Sequence, residues 1–226
     1  MTSPRDGFRT VSKARFGDDE KMTSLFPMFV KLDGRPVLVV GAGAVGEQKI
    51  RGLLPTGARI RVVARAASSA VREWAGEQKI TIAERAFSKS DLDGIFFVVV
   101  ATSSPKLNRR IFREAQRRGI LCNVVDVPEQ CDFYYPAVVQ RGDLQIAIST
   151  SGQSPSLAQQ LRLRLENQFG PGYARWVAEL GETRRRVLAS DLDAQQKREL
   201  LQSLASPEAF EALVAANHKL NGRSAV

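Results

Sequence analysis

Along this chain, uninterrupted apolar runs alternate with segments whose apolar positions recur every three or four residues. The strongest run, Val37–Val40, has no polar alternation and reads as a strand buried on both faces, as in a parallel sheet. Beyond Gly46 the spacing brings Val45, Lys49/Ile50 and Leu53 near one face, which predicts a helix to about Leu54, ended by Pro55-Thr56-Gly57. Arg59–Ala64 reads as the second strand, and Ser69–Glu77 as a helix with Val71 and Trp74 on one side. Ile80–Ile82 is a short strand, and Phe87–Leu92 a helical turn capped by serine. Ile95–Ala101 is the second strongly buried strand, and Ile120–Val125 follows as another. Between them, Lys106–Arg118 is an amphipathic helix with Leu107, Ile111 and Ala115 inward. This alternation predicts an α/β fold, a Rossmann-like doubly wound parallel sheet, over residues 22–135.

After Asp126 the pattern changes. Tyr134–Gln140 and Leu144–Ser149 flank Arg141-Gly142-Asp143, a hairpin signature. A polar turn, Thr150–Pro155, leads into a helix from Ser156 to Phe169 with Leu157, Leu161 and Leu165 on one stripe. Gly170-Pro171-Gly172 breaks it, and Tyr173–Leu188 and Asp193–Leu213 are further helices, with Pro207 marking the start of a last one. The organisation expected is a hairpin-plus-helix unit over 136–169 and a helical part over 170–226. Residues 1–21, polar and without apolar periodicity, are expected to be a disordered tail.

Composition narrows the function. The formal charge is +9, and residues 22–168 alone carry 20 Lys and Arg against 13 Asp and Glu, so the excess lies in the body and not in a tail. A basic folded body suits an anionic partner. The chain shows no helix-turn-helix, zinc signature or aromatic-plus-basic RNA-binding stretch, which favours an acidic metabolite over nucleic acid. No apolar run approaches the roughly 18 residues of a membrane span, and Met1–Lys21 has no apolar core of a secretory signal; a cytoplasmic protein without membrane attachment is expected. Cys122 and Cys131 lack metal-ligand spacing and read as reduced thiols. The single histidine, His218, stands far from every motif, which argues against a histidine-based triad, general base or metal site.

The candidate chemistry sits at Gly41, Gly43 and Gly46, spaced G-x-G-x-x-G between the first strand and first helix. Gly41 permits the tight turn, Gly43 lets backbone approach a pyrophosphate, and Gly46 lets helix and strand pack closely. The free N–H groups and the positive end of the helix dipole would hold the phosphates; the alternative is a merely structural turn. In the usual dinucleotide site the second strand ends in Asp or Glu, which binds the ribose hydroxyls. Here it ends in Ala64-Arg65-Ala66: Arg65 either faces a 2′-phosphate or is a solvated loop residue. Thr102-Ser103-Ser104 and Asp126 follow the carboxyl ends of buried strands, where ligands sit in open α/β sheets. A carboxylate there suits proton transfer, or it caps a turn.

The chain resembles the precorrin-2 dehydrogenase/sirohydrochlorin ferrochelatase family of siroheme synthesis over roughly residues 25–188. The resemblance rests on Phe26-Pro27-Met28-Phe29, Val39–Gly46 with Lys49, Val100-Ala101-Thr102, Cys122–Asp126, Phe133–Ala137 and Ile148–Pro155. It implies oxidation of precorrin-2 to sirohydrochlorin with hydride passing to NAD (NADP remains open), and in some members insertion of Fe²⁺. Asp126 falls on the family's catalytic aspartate; in chelation it would accept a pyrrole proton or guide the metal. Family position also places Ala44, Val45, Arg65, Ala66, Ala101, Thr102 and Asn123 with the glycines against the dinucleotide, and the Ser149–Pro155 loop near the active cleft, where Ser149, Thr150, Ser151 and Ser154 either contact carboxylates of the tetrapyrrole or serve as helix caps and turn formers. It implies a homodimer formed through 136–169. The competing class is a regulatory module that binds NAD or a tetrapyrrole without catalysis.

Overall fold

A computed structural model describes residues 25–212; the expected tail 1–21 and His218 lie outside them. Five strands form one sheet in the order β3-β2-β1-β4-β5: β1 (Pro36–Ala42), β2 (Arg59–Ala67), β3 (Thr81–Glu84), β4 (Phe97–Val100) and β5 (Leu121–Val124). All neighbours are parallel. Val37 and Val39 point into one core with Ile50, Val62 and Val71. Leu38 and Val40 point into the other with Val98, Ile111 and Val124. Both faces being buried explains why the β1 sequence shows no polar alternation.

The crossover helices are α1 (Ala44–Leu53), α2 (Ser69–Gly76) and α3 (Pro105–Arg117). α1 tightens into a 3-10 turn over Leu54–Thr56 and stops at Gly57, whose φ is +71°. Ser68 and Ser104 cap α2 and α3 by accepting hydrogen bonds from Val71 and Leu107 N–H. Ser88 and Asp91 form a reciprocal capping box around the 3-10 turn Lys89–Leu92. β2 differs from expectation: it runs on through Arg65 and Ala66 to Ala67, which pairs with Ala42 across an irregularity in β1. Those two residues are therefore strand and not loop.

The second part begins with an antiparallel hairpin, β6 (Ala137–Arg141) and β7 (Leu144–Ile148), turning at Gly142. It packs on α4 (Pro155–Gln168) and α5 (Gly172–Ala189), followed by α6 (Ala194–Leu204) and helical backbone over residues 207–212. Arg141 ties hairpin to helix, donating to the Phe169 carbonyl at 2.8 Å and the Glu166 carbonyl at 3.0 Å, which satisfies otherwise open groups at the end of α4. Phe169, Tyr173, Trp176 and Phe210 stack in sequence. The leucine stripe of α4 does not become core within the chain: Leu157 is exposed, Leu161 and Leu165 are half-buried, and Ala158 is buried instead.

Both cysteines are free. Burial pushes the Cys122 thiol up to about 12, so it remains protonated and inert.

Candidate functional site

The strand order reverses between β1 and β4, and the carboxyl ends of these strands bound a cleft of about 700 Å³. Sheets of this kind bind ligands at such a switch point. The three glycines around it differ in what a side chain would meet. At Gly41, with φ +104°, a Cβ would lie 2.3 Å from the Ala101 carbonyl oxygen; at Gly46 it would lie 2.0 Å from the Gly41 carbonyl oxygen. Both are required by the protein's own packing. At Gly43 no protein atom comes within 4 Å of a Cβ, so the space is open toward the cleft. Gly43 is also the N-cap of α1 with no side-chain cap, which leaves the first N–H groups of the helix without intrahelical acceptors. An open cradle of N–H donors at the positive end of a helix fits a pyrophosphate.

Gly41, Gly43, Ala44, Val45, Arg65, Ala66, Ala101, Thr102 and Asp126 all line the cleft. Its charged residues are Arg65, Arg85, Arg110 and Asp126, a net positive lining with one carboxylate. Thr102 is held in place by Asn108, a buried amide on α3. The Thr102 hydroxyl donates to the Asn108 carbonyl at 2.5 Å, and the Asn108 amide donates to the Thr102 backbone carbonyl at 3.1 Å. Sequence reasoning did not single out Asn108; its signal was a polar residue at i−3 from inward-facing Ile111. No sequence motif marks Arg85 or Arg110, which also line the cleft.

Asp126 occupies a turn after β5. The Val127 N–H bonds to the Val124 carbonyl at 3.2 Å, and Asp126 has φ +61°. A turn with positive φ at its third position favours Gly or Asn, and Asp tolerates it better than most residues. The following loop is laced back over β5. Asn123, buried, donates to the Phe133 carbonyl at 2.8 Å. Cys131 Sγ donates to the carbonyls of Val124 and Val127. The Asp132 carboxylate accepts from Cys122 N–H at 2.8 Å and from Gln116 at 2.6 Å. Asn123, expected against the cofactor, thus lies outside the cleft lining and instead anchors the loop that presents Asp126. Lys49, on α1, places its ammonium 4.1 Å from the centre of the Tyr135 ring. Burial lowers its pKa, and the attraction of Asp126 opposes that shift.

Gly46 and the Ser149–Ser154 loop also lie outside the lining of the cleft. Within the loop, Ser149 accepts from Ser151 N–H, Thr150 from Ser154 N–H, and Ser154 from Leu157 N–H at the start of α4. Each of these hydroxyl oxygens is an acceptor there, so its own O–H is free to donate elsewhere. Among the described residues no three His, Cys, Asp or Glu side chains gather as a metal cluster. No helix among them is long and apolar enough to cross a membrane.

Residues 28–137 match a family model of NAD(P)-binding domains, and residues 141–168 match the central domain of sirohaem biosynthesis proteins. The siroheme synthase of Ectopseudomonas mendocina is 43% identical over 173 residues, covering 76% of this chain and 37% of that protein. The siroheme synthase of Neisseria meningitidis serogroup B is 42% identical over 146 residues, covering 65% of this chain and 30% of that protein. The chain therefore spans about a third of the length of these curated relatives. A solved structure described as SirC, precorrin-2 dehydrogenase, superposes with a TM-score of 0.74 at 29% identity, covering 88% of this chain and 98% of the other.

Proposed function

We propose, because the chain belongs to the sirohaem biosynthesis family whose two consecutive domains it carries, that it oxidises precorrin-2 to sirohydrochlorin with a nicotinamide dinucleotide. The observation that carries this reading is one cleft in which the open glycine cradle, Thr102 and Asp126 converge. Each oxidation removes a hydride and a proton from the macrocycle. The nicotinamide ring, when bound, supplies the hydride acceptor. The chain's own part is to hold and orient. The N–H groups of Ala44, Val45 and Gly46 receive the pyrophosphate. Thr102, braced by Asn108, forms the wall at the end of β4. The Asp126 carboxylate takes the proton or orients the macrocycle. Arg110 and the loop hydroxyls of Ser149, Thr150, Ser151 and Ser154 suit the carboxylates of an acidic tetrapyrrole.

In this reading residues 22–135 bind the dinucleotide, 136–169 pair two chains, and the described residues from 170 to 212 form a helical extension. Purified protein mixed with precorrin-2 and either NAD or NADP is expected to develop the sirohydrochlorin absorbance spectrum; no change with either dinucleotide rejects the dehydrogenase. Asp126→Ala is expected to abolish turnover while dinucleotide binding persists. Full activity in that variant removes Asp126 from the mechanism. Supplying sirohydrochlorin with Fe²⁺ as a substrate tests chelation separately.

A further inference from the structure

The outer face of α3 carries charge that the chain itself leaves unused. Lys106, Arg109, Arg110, Arg113 and Arg117 recur at helical spacing, and all are exposed. They fall within one stripe about 100° wide and about 16 Å long, turned away from the buried Ile111 and Ala115. Arg117 shares the Glu114 carboxylate with Arg118 and Lys89. Lys106, Arg109, Arg110 and Arg113 form no hydrogen bond or ion pair among the described residues. On other helices arginines pair with a glutamate one turn away: Arg51 with Glu47, Arg162 with Glu166, Arg175 with Glu179. On α3 the positions one turn from Lys106, Arg109 and Arg113 hold further cations. Like charges at that spacing destabilise a helix. The first turn of α3 also holds Lys106 and no acid, which opposes the helix dipole. Local stability therefore does not account for the stripe.

Its position does account for it. Ser104, Leu107 and Arg110, at the start of α3, line the cleft. The stripe thus begins at the cleft rim and leads away from it along the helix. The acids beside α3 that would repel an anion are engaged. Glu114 holds three cations. Asp93 pairs with Arg118 at 2.5 Å. Asp132 accepts from Gln116 at 2.6 Å and from Cys122 N–H at 2.8 Å.

We propose that the outer face of α3 is a capture track for a polycarboxylate, which Lys106, Arg109 and Arg113 draw in from solution and Arg110 passes into the cleft. The inference rests on the tetrapyrrole site proposed above and deepens it by naming the entry route. A cleft rimmed by one sign of charge raises the local concentration and the association rate of its counter-ion, and salt weakens the effect steeply. A row of separate exposed cations fixes no single pose, so it speeds arrival without slowing departure. Continuity with the cleft favours a small polyanion that enters over a nucleic acid that would lie across the helix.

Stopped-flow fluorescence with uroporphyrin, an octacarboxylate tetrapyrrole, and coproporphyrin, a tetracarboxylate, reads capture without turnover. The association rate constant of uroporphyrin is expected to fall at least about tenfold as ionic strength rises from about 0.01 M to about 0.1 M, because the Debye length shrinks from about 30 Å to about 10 Å. Coproporphyrin is expected to show a shallower dependence. The triple variant Lys106→Gln, Arg109→Gln, Arg113→Gln is expected to associate about tenfold more slowly at low salt and to lose most of the salt dependence, with dissociation within about twofold of the unmodified chain. Its thermal midpoint is expected to hold or rise, since like-charge pairs are relieved. A control takes three exposed cations from α5 and α6, Arg184→Gln, Arg185→Gln and Arg198→Gln, and is expected to keep both rates. Equal slowing in the control marks a net-charge effect and overturns the track. So does salt-independent association, or no binding of uroporphyrin, in the unmodified chain. Tighter capture of a duplex oligonucleotide than of uroporphyrin, lost in the triple variant, assigns the face to nucleic acid and overturns it as well. Absence of precorrin-2 turnover alongside track-dependent capture of uroporphyrin removes the dehydrogenase but leaves the track; turnover with salt-independent capture does the reverse.

Discussion

At the scale of single residues, the three glycines do different work, and substitution separates it. Gly41→Ala and Gly46→Ala drive a Cβ to 2.3 and 2.0 Å from backbone oxygens, so both are expected to lower thermal stability sharply. Gly43→Ala meets no protein atom within 4 Å. It is expected to melt like the unmodified chain and to lose at least about tenfold in dinucleotide affinity, because the methyl occupies ligand space. Thermal melts with and without cofactor, together with calorimetry, read both effects. The motif spacing in the sequence already marked these positions. It did not reveal that the Asn123 amide would be used on the Phe133 carbonyl, since that partner arrives ten residues later through a folded-back loop. Nor did any local signal identify Arg85, which joins the cleft only because β3 lies beside β2.

At the scale of elements, helix α3 shows how a basic segment is anchored. Glu114 is buried on its inner side and gathers Arg117, Arg118 and Lys89. Hydrogen bonds from Arg117 and then Arg118 hold its carboxyl down to about 2. A carboxyl depressed in the folded state contributes stability that is present above its ordinary value of 4.5 and lost as pH falls toward about 2. Thermal midpoints measured across that window are expected to fall on acidification, and Glu114→Gln is expected to flatten part of that slope while lowering the midpoint at neutral pH. The apolar pattern made α3 legible with nearly the right ends, because Ile111 and Ala115 fill its buried stripe. Strand β2 extends further than its sequence pattern shows, because Arg65 and Ala66 carry no buried side chain and lie in the irregular stretch that Ala67 closes by pairing with Ala42 of β1.

At the scale of the molecule, several large apolar side chains among the described residues stand exposed. Phe26 is 82% exposed, and Met28, Phe29, Val138, Leu157 and Leu163 are exposed as well. Scattered apolar residues are ordinary on a surface, but Leu157 and Leu163, both exposed on α4 beside the hairpin, suit a partner of the same chemistry. In the proposed reading that partner is a second copy of the chain. Light scattering at micromolar concentration is expected to give twice the chain mass of 24.9 kDa, and Leu163→Glu with Leu157→Glu is expected to give the single mass with secondary structure retained. A monomer in the unmodified protein rules out this pairing. The leucine periodicity predicted α4 itself, but periodicity does not distinguish a stripe buried in its own chain from one left for another.

The contact between Gly41 and Ala101 has a kinetic consequence. β1 meets β2 through a short crossover, whereas β4 reaches β1 only after the chain has travelled through two more strands and their connections. The glycine turn therefore exists early as a local strand–helix unit, but its wall is missing until β4 docks and brings the Ala101 carbonyl against Gly41. In the proposed reading a dinucleotide in the finished cleft touches both halves of the sheet. It would then act as a bolt across the seam between β1 and β4, so bound cofactor is expected to slow unfolding by opposing their separation and to withhold its stabilisation from any chain whose sheet is half built.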